Sequence, residues 1–288
     1  MPFLLSPAKI NVGLFVIGRR PDGFHNLDTL FARLALFDRI EIEPAPNLEV
    51  TCHPIGPQGA ENLVFQALRR LAEVLGRPFR FRVAIEKRVP IGAGLGGGSA
   101  NVATVLAWLV ETGRVPAPVA RRVAREMGAD VAFFLEGGSW ARGRGRGDEL
   151  EPLAGMPLGV PVLVVVPPYG VSTARAYAAL ARAASYTPPE EARARMETLI
   201  SALKQRDWKR AHRALANDFE PVVFRWHPEL RELKMHLRRA GAALAGLSGS
   251  GAALYGLFPG GIPEALPLPE GFRSLATEIG PAEQHEGG

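Results

Sequence analysis

The stretch Pro90-Ile91-Gly92-Ala93-Gly94-Leu95-Gly96-Gly97-Gly98-Ser99-Ala100 decides how the rest of the chain is read. It places five glycines within positions 92–98. Glycine enters positive φ without a steric penalty and leaves no side chain between a ligand and the backbone. Successive N–H groups in such a loop converge on an anion. The helix predicted next, from Ala100 to about Thr112, adds the positive end of its dipole and its unpaired N–H groups. Phosphate is the natural occupant. A loop rich in glycine only through tight packing would lose roughly 0.5–1 kcal/mol per glycine in conformational entropy with no offsetting gain.

Two familiar nucleotide motifs do not fit. Gly92-x-Gly94-x-x-Gly97 matches the dinucleotide fingerprint, but Pro90 and the long glycine run exceed its tight turn. The acid expected about 20 residues on is missing too, since Glu111 falls at the end of a helix. No Gly-Lys-Ser/Thr follows the glycines, so the Walker pattern also fails. A kinase of another type is the reading that remains.

Working outward, Phe79–Glu86 alternates apolar and polar residues as a half-buried strand does. Asn62–Leu75 carries a helical repeat that Gly76 stops. Strands are predicted at Ile10–Ile17, Leu27–Leu34 and Arg39–Glu43, the first two joined by a loop holding Pro21-Asp22-Gly23-Phe24-His25. A helix at Pro118–Met127 leads to Gly128-Ala129-Asp130-Val131. The second half opens with a strand from Val160. Helices follow at Thr173–Ala184, Glu190–Lys204, Trp208–Ala216 and Pro228–Arg239, then strands at Ala242–Leu247, Ala253–Phe258 and Phe272–Glu278. The class is α+β, divided into 1–153, an ATP-binding N-terminal domain, 154–279, a C-terminal domain, and a flexible polar tail at 280–288.

Composition removes other classes. The 47% apolar and 22% charged content of the 288 residues is that of a globular protein, not a disordered one. No apolar run approaches the roughly 20 residues that span a bilayer, and the N-terminus lacks a signal-peptide pattern. The lone Cys52 makes no internal disulfide, in keeping with a reducing, cytoplasmic setting. A net charge of +5 suits polyphosphate substrates or nucleic acid and does not choose between them.

Lys9, within Pro7-Ala8-Lys9-Ile10-Asn11, and Asp130 are each a single charge in apolar surroundings. Because a buried charge needs a partner, they are expected to pair, and Asp130 so placed would accept a hydroxyl proton. An ordinary internal ion pair, or Lys9 snorkelling to solvent, explains the residues equally well. Ser248-Gly249-Ser250-Gly251 reads as a turn or a second anion nest, and its position favours the turn. Arg142-Gly143-Arg144-Gly145-Arg146 resembles nucleic-acid-binding segments superficially, but a hairpin with solvated arginines fits its foldable flanks better. His25 beside Phe24 reads as a base-recognition pair or as plain surface. No His/Cys cluster suggests a transition-metal site.

Taken together, Pro7–Asn11, Pro90–Ala100 and Ser248–Gly251, in that order, resemble the GHMP kinase superfamily of galactokinase, homoserine kinase, mevalonate kinase and phosphomevalonate kinase. With Ser6, Arg20–His25 and Gly128–Val131 added, the chain is most similar to the family acting on 4-diphosphocytidyl-2-C-methyl-D-erythritol. The resemblance implies a two-domain fold with the active site between the domains. It also implies transfer of the γ-phosphoryl group of ATP to the tertiary 2-hydroxyl, in the non-mevalonate route to isoprenoid precursors. By that likeness Asp130 is the base and Lys9 polarises the hydroxyl. Pro90, Ile91, Gly92, Ala93, Gly94, Leu95, Gly96, Gly97, Gly98, Ser99 and Ala100 hold ATP, with Asn62 and Lys87 near the adenosine. Asn11, Phe24, His25 and Tyr177 face the cytidine diphosphate substrate. Mg²⁺ is implied, with Ser99 its candidate ligand. The family has Tyr where this chain has Phe24, so a phenolic contact is lost there. A sibling kinase of homoserine, mevalonate or a sugar is the alternative, and a basic nucleic-acid-binding protein a remote one. No membrane partner is expected, and monomer and homodimer stay open.

Overall fold

A computed structural model describes residues 3–136, 138–183 and 185–280. The tail assigned to 280–288 lies outside them except for Gly280, as does Ala184 at the end of one expected helix. Among the described residues, no helix is long and apolar enough to cross a membrane.

The first half runs β1 (Leu4–Arg19), β2 (His25–Pro44), β3 (Glu49–His53), α1 (Leu63–Leu75), β4 (Phe81–Glu86), α2 (Gly97–Glu111), α3 (Ala117–Met127), α4 (Ala129–Glu136), β5 (Trp140–Gly145) and β6 (Glu149–Pro152). The second half runs β7 (Pro161–Val166), α5 (Thr173–Ala183), α6 (Pro189–Lys204), α7 (Trp208–Ala214), α8 (Glu220–Trp226), α9 (Pro228–Arg239), β8 (Leu244–Leu247), β9 (Leu254–Leu257) and β10 (Arg273–Glu278). The strands form a six-stranded sheet, β3-β4-β2-β5-β6 with β1 also on β2, and a four-stranded sheet, β10-β7-β9-β8.

Several elements differ from the sequence reading. The two strands expected at 27–34 and 39–43 are one 20-residue strand. No glycine or proline lies between Ala35 and Asp38, so nothing breaks it. The short β3 and the seven-residue α8 were not expected. The Gly128–Val131 segment opens a helix, and α2 starts within the glycine run because Gly96 adopts the left-handed conformation, φ 71°, as its N-cap. The 142–146 stretch is a hairpin, β5 paired with β6. Arg142, however, is buried rather than solvated, and forks onto Asp28 at 2.9 and 2.6 Å.

Strand periodicity explains how the site comes to exist. Ala8, Ile10 and Val12 of β1 are fully buried in a core shared with Val162 and Val164 of β7 and with Met196 and Leu199 of α6. Lys9 and Asn11, one residue out of phase, therefore project from the opposite face. A second core packs the first sheet against α1–α3, and a third lies under α5, α8 and α9. The halves are stitched by backbone bonds as well. Leu14 N–H donates to Ala216 O at 2.9 Å, Asp218 N–H to Leu14 O at 3.0 Å, and Gly280 N–H to Arg33 O at 3.2 Å.

Asp38, fully buried mid-β2, anchors the approach to the glycine loop. It accepts from Lys87 Nζ at 2.5 Å and from the N–H groups of Arg88 and Val89 at 2.8 Å each. Asp38→Ala leaves a buried ammonium and two buried N–H groups without acceptors. The expected loss is about 3–5 kcal/mol, read from the urea midpoint. A loss below about 1 kcal/mol would show that Lys87 reaches solvent at little cost.

Candidate active site

Lys9 is 3% exposed. Its ammonium donates to Asn11 Oδ1 at 2.6 Å and stands 3.4 Å from Asp130 Oδ2, with the Phe31 ring centroid at 5.6 Å. The pairing expected from the sequence is thus present. Asn11 is fixed in turn, since its Nδ2 donates to Thr29 Oγ1 at 2.9 Å and Thr29 donates to Gly13 O at 3.0 Å. Asp130 sits in the first turn of α4 with a side chain about one-third exposed, so its carboxylate meets both Lys9 and the open cleft.

The glycine loop lies across from this pair. Its carbonyls are tied into the protein: Ala93 O accepts from Ala253 N–H, Gly94 O from the Ser248 hydroxyl, Leu95 O from Lys9 N–H and Gly96 O from Ala100 N–H. In a trans peptide the next N–H points the opposite way, so the N–H groups of Gly94, Leu95, Gly96 and Gly97 turn away from these anchors. Gly97–Ser99 add the first-turn N–H groups of α2, which have no acceptor four residues back. Gly94 and Gly96 hold φ of 78° and 71°. A Cβ on Gly96 would fall 3.0 Å from Lys9 Cγ.

The loop at 248–251 is more than a turn. Gly249 packs beside Asn11 and Lys9, and Ser250 Oγ lies 2.8 Å from Thr173 Oγ1. Asn217 holds it in place, donating to both Leu247 O and Gly249 O at 2.8 Å. Together these residues enclose a cleft of about 320 Å³ lined by Lys9, Asn11, Ser99, Asp130, Tyr177 and Gly249 among others.

At one side of the cleft His25 stacks on Tyr177, centroids 4.4 Å apart, and Tyr177 meets Phe219 edge-on at 4.9 Å. Burial, aided by the Arg19 charge, holds the His25 imidazole below its ordinary value. Burial, aided by the Asp130 charge, raises the Tyr177 phenol. Phe24 is 55% exposed, under the Arg146 guanidinium at 5.0 Å.

Comparison with known proteins agrees with this geometry. Residues 62–138 match the GHMP kinases N terminal domain and residues 199–266 the GHMP kinases C terminal. A 4-diphosphocytidyl-2-C-methyl-D-erythritol kinase of Solibacter usitatus (strain Ellin6076) is 44% identical over 259 residues, covering 88% of this chain and 80% of the relative. The chain belongs to the 4-diphosphocytidyl-2-C-methyl-D-erythritol kinases, a family of GHMP kinases. A crystal structure of 4-(cytidine 5'-diphospho)-2C-methyl-D-erythritol kinase superposes with a TM-score of 0.76 at 37% identity, covering 96% of this chain and 99% of that one. A homoserine kinase from Cytophaga hutchinsonii ATCC 33406 shares the fold, with a TM-score of 0.62 at 22% identity over 89% of this chain and 84% of its own.

In this GHMP kinase, some residues named from the sequence have structural duties. Asn62 caps α1, accepting from Val64 N–H at 2.9 Å and donating to Pro57 O at 2.9 Å. Lys87 is held by Asp38 beneath the start of α2, where a Cβ on Gly97 would come 2.8 Å from its Nζ. The sequence reading missed Thr29, Thr173, Asn217 and Phe219, which are far apart in the chain and carry no motif of their own.

Gly94→Val is expected to raise the KM for ATP at least tenfold. The added Cβ would fall 2.2 Å from Ser248 O, so the two loops must separate. The sequence alone suggests crowding of the phosphates instead. Unchanged ATP kinetics in a folded variant would show that the loop contact does not shape the nucleotide site.

Proposed function

We propose that the chain transfers the γ-phosphoryl group of ATP to the tertiary 2-hydroxyl of 4-diphosphocytidyl-2-C-methyl-D-erythritol, giving the 2-phosphate and ADP, a step toward isoprenoid precursors. The observation that carries the reading is the buried Lys9 ammonium, 3.4 Å from Asp130, facing a glycine loop across one small cleft.

Asp130 is the group we assign to receive the acceptor's hydroxyl proton. The new bond joins that oxygen to the γ-phosphorus, the bond from the γ-phosphorus to the bridging oxygen breaks, and ADP leaves with the electron pair. Lys9 stands 3.4 Å from Asp130 and lends positive charge near the attacking oxygen. The N–H groups of residues 94–99 hold the phosphates and fix the line of attack, which supplies most of the catalysis in phosphoryl transfer. Asn11 and Thr29 orient Lys9 through the chain of hydrogen bonds described above.

Mg²⁺ is implied by the family. Among the described residues no three His, Cys, Asp or Glu cluster to hold a metal. The cleft offers the Ser99 hydroxyl and the Asp130 carboxylate, a sparse oxygen set that suits an ion brought in on nucleotide phosphates. The ion would neutralise phosphate charge. At the other end, burial and the Arg19 charge lower the His25 imidazole and favour its neutral ring, which carries one donor and one acceptor nitrogen. We assign it to the edge of the cytosine, with Tyr177 on the base face and the exposed Phe24, beneath Arg146, at the outer rim.

The deciding assay is ADP release with 4-diphosphocytidyl-2-C-methyl-D-erythritol, homoserine, mevalonate and galactose offered separately. Release with the cytidyl compound alone is expected, and release with another alcohol would discard the substrate. Asp130→Asn should lower kcat by about 10²–10⁴-fold, the range of general-base catalysis, while ATP affinity measured by equilibrium binding stays within about twofold. Near-normal turnover would remove Asp130 from the base role.

A further inference from the structure

A groove of about 940 Å³ lies outside the active site, walled by α5, α8 and α9, and shares no lining residue with the cleft. Its basic wall comes from the spacing of α9. Arg231, Lys234, Met235, Arg238 and Arg239 stand at intervals of three and four, so they form one stripe along that helix. Arg225 of α8 joins them, so five Arg or Lys side chains line the groove against only two carboxylates, Asp218 and Glu220.

Both carboxylates are already engaged. Glu220 accepts from Lys234 Nζ at 2.6 Å and from Leu247 N–H at 3.1 Å. Asp218 accepts from Val16 N–H at 2.7 Å and from the Thr187 hydroxyl at 2.8 Å. Among the described residues Arg238 donates only to the Ala242 carbonyl. Arg225, Arg231 and Arg239 have no hydrogen bond or ion pair among the described residues. The His212 imidazole is held below its ordinary value by burial and then by the neighbouring Arg238 and Lys234 charges. The facing wall is apolar, with Ala179, Leu180 and Ala183 of α5. Met235, 43% exposed in the middle of the basic stripe, continues that apolar surface.

We infer that this groove is a second ligand site, for a small organic phosphate whose ester group is apolar. Three uncommitted guanidinium forks match phosphate oxygens with paired donors, which a lone lysine cannot do. The volume is that of a small-molecule pocket. The α5 wall and Met235 receive the apolar group while α9 takes the anion, so neither inorganic phosphate nor a neutral hydrocarbon satisfies both sides.

The test uses the full-length kinase with ADP and cytidine 5'-diphosphate saturating the active-site cleft, and titrates 1-naphthyl phosphate by calorimetry. Saturable one-to-one binding is expected, at least tenfold tighter than that of 1-naphthol or inorganic phosphate. The double variant R231E/R239E, both positions exposed on the groove-lining stripe of α9, should weaken binding at least tenfold with kcat and the KM for ATP unchanged. Undiminished binding in that variant, or equal affinity for 1-naphthol, would overturn the site. Flotation with phosphatidylglycerol vesicles, without saturable binding of the soluble ester, would assign the stripe to a membrane surface and also overturn it.

Discussion

The centre of this molecule is organised around one ammonium that has been taken out of water. Lys9 stands on a strand whose neighbouring residues Ala8 and Ile10 are wholly buried, and is itself 3% exposed. A charge so placed is tolerated only with partners, and each partner must be held against thermal freedom. Asn11 accepts from it and is fixed by Thr29, Thr29 by Gly13 O, and Asp130 by the first turn of α4. What looks like catalytic geometry is also the minimum needed to bury that charge. The two demands coincide because the ion pair is incomplete: Asp130 keeps about a third of its side chain open to the cleft, where an acceptor hydroxyl can reach it.

The glycine-loop side of the cleft obeys a different constraint, close approach of backbone to backbone. The segments at 92–99 and 248–253 come from opposite halves of the chain and share direct bonds, Ser248 Oγ to Gly94 O and Ala253 N–H to Ala93 O. Side chains at Gly94 or Gly96 would collide with Ser248 O or with the Lys9 stem. The glycines therefore serve packing as much as ligand access. Tight packing and ligand access are different faces of one loop.

How much of this was legible follows from the range of the interactions. The glycine loop and the helices with clear periodicity were readable because each is written in adjacent residues, whereas the lone charges of Lys9 and Asp130 raised their pairing as one option beside snorkelling to solvent. Elements set by tertiary contact were not readable. β2 can bury Asp38 in its middle because that carboxylate finds Lys87 and two N–H groups from a segment about 50 residues away. Arg142 looked solvated because nothing near it in sequence announces Asp28. Asn217 left no mark at all, yet a single amide ties Leu247 and Gly249 into the site. The place of 248–251 beside Lys9 was likewise invisible to position alone.

The aromatic end of the cleft is built in the same way as the glycine-loop end. His25 begins β2 in the first half, whereas Tyr177 and Phe219 belong to the second, and the stack exists only when the halves are in register. Domains joined by small polar interfaces move by default. Here the join is a continuous apolar core that takes Ile10, Val12 and Phe15 from one half and Val162, Val164 and Leu199 from the other. The β1 backbone bonds to 216–218 close it further. Opening the halves like a hinge would expose that core to water, at roughly 25 cal/mol for each Å² of apolar surface. The relative placement of the two sheets is therefore part of the cleft itself, since the distance from Asp130 to His25 is fixed by the core.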